Sequence, residues 1–96
     1  MSHTVKYMQF EWDPNKAAIN LKKHGIDFVN AVSVFNDNHA VTIDNPDCDE
    51  ERFATIGMDA SARLLVMVYT YRGNAIRLIS VRKAEKHERK QYKNKE

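Results

Sequence analysis

Residues 64–71 (LLVMVYTY) form the most apolar run of the chain. β-branched and aromatic residues fill it, so it reads as a strand, and apolar residues at successive positions predict burial on both faces. The run is far short of the ~20 residues that a membrane span needs. Strand-like segments flank it closely. Residues 52–58 (RFATIGM) come before it across a turn at 59–62, and residues 75–81 (AIRLISV) follow the turn Arg72-Gly73-Asn74. Connections this short force neighbouring strands to pair antiparallel, as a meander. Residues 40–43 add one more short strand, and an acidic loop at 44–51, broken by Pro46, links it to the meander.

The N-terminal third reads differently. Residues 5–12 (VKYMQFEW) alternate roughly between apolar and polar, which predicts a strand. Asp13-Pro14 then stops it and opens a helix over residues 14–24, because Asp caps well and Pro suits the first helical position. Ala17, Ala18 and Leu21 form its expected inner face, and Gly25 ends it. Asp27 caps a second helix in which Phe28, Val32 and Phe35 recur at helical spacing, closed by residues 36–38. Two helices with so short a joint predict a helical hairpin. Residues 84–92 are helix-forming but almost wholly polar. The fold class is α+β: an antiparallel β-sheet with an N-terminal helical hairpin and a C-terminal helix. At 96 residues the chain is read as one domain, 1–96, with a modest core.

Charge divides the chain. Residues 1–51 carry a balance of −5 and residues 52–96 one of +7, for a net +2. The basic half suggests a polyanionic partner, and arginine is the side chain whose fork fits phosphate. A solvated surface whose opposite charges meet in the folded chain is the plainer alternative. The single cysteine, Cys48, supplies neither an internal disulfide nor a Cys-rich zinc site and has no activating basic neighbour, so a reducing cytoplasm is expected. No signal peptide opens the chain. His3, His39 and His87 lack metal spacing, the acidic run lacks an EF-hand pattern, and no phosphate-binding glycine loop is present. Neither a metal nor a cofactor is therefore expected.

Three groups of residues suit chemistry on a phosphodiester. Lys23-His24 closes the first helix: His titrates near neutral pH and Lys stabilises negative charge, although both also suit the negative end of a helix dipole. Arg72, Arg77 and Arg82 follow along the last hairpin. Arg77 and Arg82 are five apart, so in a regular strand they point to opposite faces; only a bulge, or a strand that ends before Arg82, lets them share a site. Ion pairs with the acidic loop are the alternative for each. Lys83, Lys86, Lys90 and Lys93 are spaced as one stripe of the last helix, with Ala84, Glu88 and Tyr92 as another.

These residues belong to a longer ordered set: Phe10-Glu11-Trp12-Asp13 with Lys16; Asn20-x-x-Lys23-His24-Gly25-Ile26; Phe28, Ala31, Phe35 and Asp37; Glu51-Arg52, Ile56-Gly57, Leu65 and Val68-Tyr69-Thr70-x-Arg72; Ile76-Arg77-x-Ile79-Ser80-x-Arg82, then Ala84, Glu88-Arg89 and Tyr92. Taken together, over about residues 8–92, the set resembles the BrnT toxins of bacterial type II toxin–antitoxin modules. Val81 departs from the pattern, where the family more often has a small residue.

The resemblance implies a RelE-like ribonuclease that cuts RNA, arrests growth and is neutralised by a DNA-binding antitoxin, BrnA, which would wrap the toxin and carry the complex to operator DNA. Metal-free RNA cleavage needs an activated 2′-OH, stabilised charge on phosphate and a protonated leaving oxygen. His24 is the candidate for proton transfer, Arg72 and Arg82 for clamping phosphate, and Lys23 and Arg77 for further positive charge. Arg52 and Glu51 complete or position the site. Arg52, Arg77, Lys86, Arg89, Lys90 and Tyr92 are the expected RNA contacts, with Tyr92 stacking on a base or aiding proton transfer. The competing expectation is a non-catalytic module that holds nucleic acid or serves as co-repressor in a complex.

Overall fold

The structure, a computed structural model, describes residues 9–44 and 51–94. Of the acidic loop only its two ends, Asp44 and Glu51, fall within these residues, and Cys48 lies outside them. Five strands form one sheet: β1 (Gln9–Glu11), β2 (Val41–Asp44), β3 (Phe53–Met58), β4 (Leu64–Arg72) and β5 (Ala75–Lys83). Their order across the sheet is β1-β5-β4-β3-β2. The meander from β2 to β5 is antiparallel, as short connections require. β1, however, runs parallel to β5, so the sheet is mixed and not wholly antiparallel. No tight turn joins these two strands; helices and three other strands lie between them in the chain, and nothing local dictated their relative direction.

Helix α1 (Pro14–His24) begins and ends where its caps lie. The Asp13 carboxylate accepts from the Asn15 amide at 2.8 Å, and Gly25, at φ +71°, donates to the Leu21 carbonyl. Its buried side is not the expected one. Ala17 packs on the core, but Ala18 and Leu21 face solvent and the buried residue is Asn20. The second helix is also shorter than expected. After an α-turn, α2 (Phe28–Ala31), capped by Asp27, the chain tightens into a 3₁₀ segment, Val32–Asn36. The fully buried residues are Phe28, Ala31 and Val34, three apart. That period fits a 3₁₀ helix, in which residues i and i+3 eclipse.

These helices cover one face of the sheet. Ile26, Phe28, Ala31 and Val34 pack on Leu65, Met67, Tyr69, Ile76, Leu78 and Val81. Aromatic rings extend this core, with Phe35 edge-on to Tyr69 and Trp12 edge-on to Phe28. Gly57 lies under this layer because a Cβ there would sit 2.8 Å from Val34 Cγ1. The other face has a smaller cluster of Ile56, Leu64, Val66 and Ala84, covered by helix α3 (Lys86–Asn94) through Tyr92. Only the first half of β4, Leu64 to Met67, is buried on both sides; from Val68 onward the α3 side opens to solvent. Lys83 belongs to β5, paired with Leu65, so the lysine stripe of α3 begins at Lys86. No helix among the described residues is long and apolar enough to cross a membrane.

Candidate functional site

One irregularity in β5 decides which side chains share a surface. Val68 pairs with Ser80, but Tyr69 pairs with Leu78, leaving Ile79 as an extra residue. This bulge changes the alternation. Arg82 stands opposite Val66 and Arg77 opposite Thr70, four apart on β4, so both arginines project on the α3 side of the sheet. Arg72, two residues beyond Thr70, has the same parity at the hairpin tip. Arg52, next to Phe53 at the start of β3, is half-buried, and its buried Nε has no hydrogen-bond partner among the described residues. The uncovered half of this face is thus bordered by arginines, with Val68, Thr70 and Ser80 as its floor.

The separation along it is large. Between the level of Arg82 and that of Arg72 lie six residues of β4, about 20 Å at ~3.4 Å per residue. Arg72 and Arg82 are therefore not brought onto one phosphate.

Two of the arginines have carboxylate partners among the described residues. Arg77 Nη1 donates to Glu11 Oε2 at 2.9 Å. Arg82 grips Glu88 with both terminal nitrogens at 2.8 Å, and its Nη1 also reaches the Lys83 carbonyl. Glu88 in turn accepts from the Glu85 amide at 2.7 Å, the returning half of a capping box at the start of α3. The Arg82 hydrogen bonds hold the Glu88 carboxyl below its ordinary value against the opposing effect of burial, and the same bonds raise Arg82. An arginine has five N–H donors. For Arg82 the Nε–H and one Nη2–H make no bond among the described residues.

Lys23 and His24 share a separate small cleft of about 190 Å³ with Lys16, Ile19, Ile79 and Ser80. What positions it is Asn20. Beyond β1 the margin of β5 has no neighbouring strand among the described residues, and the Asn20 side chain takes that place: its Oδ1 accepts from the Val81 amide at 3.1 Å, and its Nδ2 donates to the Val81 carbonyl at 3.0 Å and to the Ile26 carbonyl at 3.2 Å. The end of α1 is thereby fixed against β5 beside Ser80, which lies on the same face as Arg77 and Arg82.

On α3, Lys86, Arg89 and Lys90 are exposed and Tyr92 is half-buried. The Tyr92 hydroxyl donates to Asp37 Oδ2 at 2.7 Å, which commits its proton, while the side chain packs beside the Ile56–Leu64–Val66 cluster. Asp37 also accepts from the amides of Met58 and His39. Burial pushes its carboxyl up, but these amide bonds and Tyr92 outweigh it, and the group titrates below its ordinary value. Among the described residues, Glu85, His87 and Glu88 group their donor atoms within 4.8 Å, but Glu88 is already engaged by Arg82 and the Glu85 amide.

Sequence reasoning did not single out Asn20, Asp37 or Lys16 for these positions. A buried amide at the strand margin left only a weak trace, one polar residue between Ile19 and Leu21.

Comparison with known proteins adds the rest. Residues 12–88 match the sequence profile of the family described as "Ribonuclease toxin, BrnT, of type II toxin-antitoxin system". Among solved structures, the crystal structure of the Brucella abortus ribonuclease toxin BrnT, at 1.1 Å resolution, superposes with a TM-score of 0.64 at 24% sequence identity, covering 83% of this chain and 100% of that one. At that identity the likeness speaks for the fold. No match is found among curated proteins.

Proposed function

The chain belongs to the BrnT family, the ribonuclease toxins of type II toxin–antitoxin systems, and from this premise we propose that it is a metal-independent endoribonuclease that acts in the cytoplasm and arrests growth until a BrnA-like antitoxin covers it. Operator DNA is then met only through the antitoxin. The single domain spans 1–96.

The observation that carries the site assignment is the Ile79 bulge, which turns Arg77 and Arg82 to one face while Ser80, between them, borders the Lys23–His24 cleft. In this reading the 2′-oxygen attacks the neighbouring phosphorus, the bond to the 5′-oxygen breaks, and a proton moves from the first oxygen to the second. His24 moves that proton, a step worth about 10²–10⁴-fold. Lys23 and Arg82 stabilise charge on the phosphate, Arg82 through the donors that Glu88 leaves. Arg72, at the far end of the same face, holds another phosphate of the strand. Arg52, Arg77, Lys86, Arg89, Lys90 and Tyr92 guide the RNA. Side-chain cations supply the positive charge that a metal would bring elsewhere.

Purified protein incubated with RNA in EDTA tests this: cleavage persists, and His24→Ala lowers its rate at least 100-fold with the fold intact. Loss of all cleavage in EDTA removes the metal-free mechanism, and wild-type rates in His24→Ala remove His24. Induction is expected to stop growth, with rescue by a co-expressed antitoxin. The engagement of Arg77 and Arg82 by carboxylates favours a second reading, a non-catalytic co-repressor. Normal growth on induction together with tight antitoxin binding selects that one.

A further inference from the structure

A second cleft, of about 330 Å³, opens between α3, the β3–β4 turn and the end of β5, on the far side of Arg82 from the open half of the sheet. Four basic side chains line it: Arg63, Lys83, Arg89 and Lys93. Its floor is apolar, from Met58 and Leu64, and Tyr92 forms one wall. The volume lies at the low end of the ~300–1,000 Å³ typical of small-ligand sites, room for one nucleoside and not for a folded segment.

Its parts are held in place. Arg63 Nε donates to Asp59 Oδ2 at 2.9 Å, and the Asp59 side chain is only 1% exposed. That single bond orients the guanidinium and leaves its two terminal nitrogens without a partner among the described residues. The same carboxylate accepts from the Ser61 and Arg63 amides and shapes the turn, in which Ala62 adopts a left-handed φ of +64°. Tyr92 is anchored through its hydroxyl to Asp37, so its ring is fixed as a wall. Lys83, Arg89 and Lys93 form no ion pair among the described residues. An apolar floor and an aromatic wall suit a base, and a ring of cations suits the phosphates on either side of it.

We infer that this cleft is a subsite for one nucleotide of the RNA strand, separate from the Lys23–His24 cleft; the inference rests on the ribonuclease reading for its ligand. Lys83, Lys93 and Arg63 become RNA contacts beside Arg89 and Tyr92. The strand would then run from the open half of the sheet past Arg82 to the flank of α3.

The test is the affinity of a fluorescent 2′-O-methyl RNA octamer, which lacks the attacking hydroxyl and stays intact. Lys83→Ala and Lys93→Ala each weaken binding about two- to fivefold, and the pair about tenfold or more, with the salt slope falling by about 0.7 per cation removed. Lys22→Ala, an exposed charge on α1 away from the cleft, changes affinity less than twofold. If both cleft variants bind like wild type while RNA is still cleaved, the subsite falls and the ribonuclease reading stands. If the variants lose octamer affinity and the wild type cleaves no RNA, the subsite stands and the cleavage reading falls. A polyglutamate peptide that binds more tightly than the octamer, with the same dependence on Lys83 and Lys93, overturns the inference in favour of an acidic protein surface.

Discussion

The two faces of the sheet are built from the same strands, yet they do different work. On the helix-covered face, Leu65, Met67, Tyr69, Ile76, Leu78 and Val81 are buried beneath Phe28, Ala31 and Val34. On the other face α3 covers the smaller cluster of Ile56, Leu64, Val66 and Ala84, and the floor beyond it, Val68, Thr70 and Ser80, is half-buried and bordered by arginines. The first face supplies stability by removing apolar surface from water. The second keeps polar groups where a charged ligand meets them. A strand of period two serves both tasks because its faces are independent, and the bulge at Ile79 is where the assignment of side chains to faces is reset.

The largest expected effect lies on the covered face. Phe28→Ala removes a fully buried ring and should cost about 3–5 kcal/mol in urea unfolding. Val68→Ala, on the open half, should cost under about 1 kcal/mol. Equal costs would erase the distinction between the faces. Asn20→Leu comes next, at about 2–3 kcal/mol, because the Val81 amide and the Val81 and Ile26 carbonyls lose their partner.

Glu88→Gln sharpens the comparison from the other side. It weakens the link between α3 and Arg82, at about 1 kcal/mol once solvent screening of the 38% exposed Arg82 is allowed for. It also releases Arg82, so affinity for the uncleavable octamer should rise while stability falls. A fall in both would make Arg82 a purely structural residue. The smallest effect is expected for Arg77→Ala: a salt slope lower by about 0.7, with stability within about 0.5 kcal/mol of wild type.

Acid should act on the links between layers. Asp37, Asp59 and Glu88 all titrate below their ordinary values, 3.8 for the aspartates and 4.5 for the glutamate. A carboxyl depressed on folding contributes stability that is complete above its unfolded value and lost as pH falls through its folded value. The melting temperature should therefore hold from neutrality to about pH 4–5 and drop below that. Asp37→Asn, which removes one of the three carboxylates, should make the drop shallower.

The meander was legible because turns of a few residues leave neighbouring strands no other pairing. The α1 caps were legible for the same local reason, Asp13 and Gly25 being the residue types those positions need. What was not legible depended on contacts distant in sequence. Nothing near residues 9–11 revealed that they would run parallel to residues 75–77. The extra residue in β5 carries no glycine to mark it, so the sharing of a face by Arg77 and Arg82 stayed conditional. Lys83 was read into the last helix because its spacing to Lys86 fits one, whereas pairing with Leu65 keeps it in β5. The acidic loop was the expected source of partners for Arg77 and Arg82; among the described residues their partners are Glu11, on a neighbouring strand, and Glu88, six residues on. Placing Lys23 and His24 beside Ser80 depended on Asn20, whose role shows only once the margin of β5 is seen to lack a strand.

That role has a further consequence. The Asn20 carboxamide satisfies both backbone groups of Val81, the same groups a visiting chain would use to extend the sheet there. An antitoxin that binds by lending a strand is turned away from this border and is left with the outer edges of β1 and β2, or with docking through side chains.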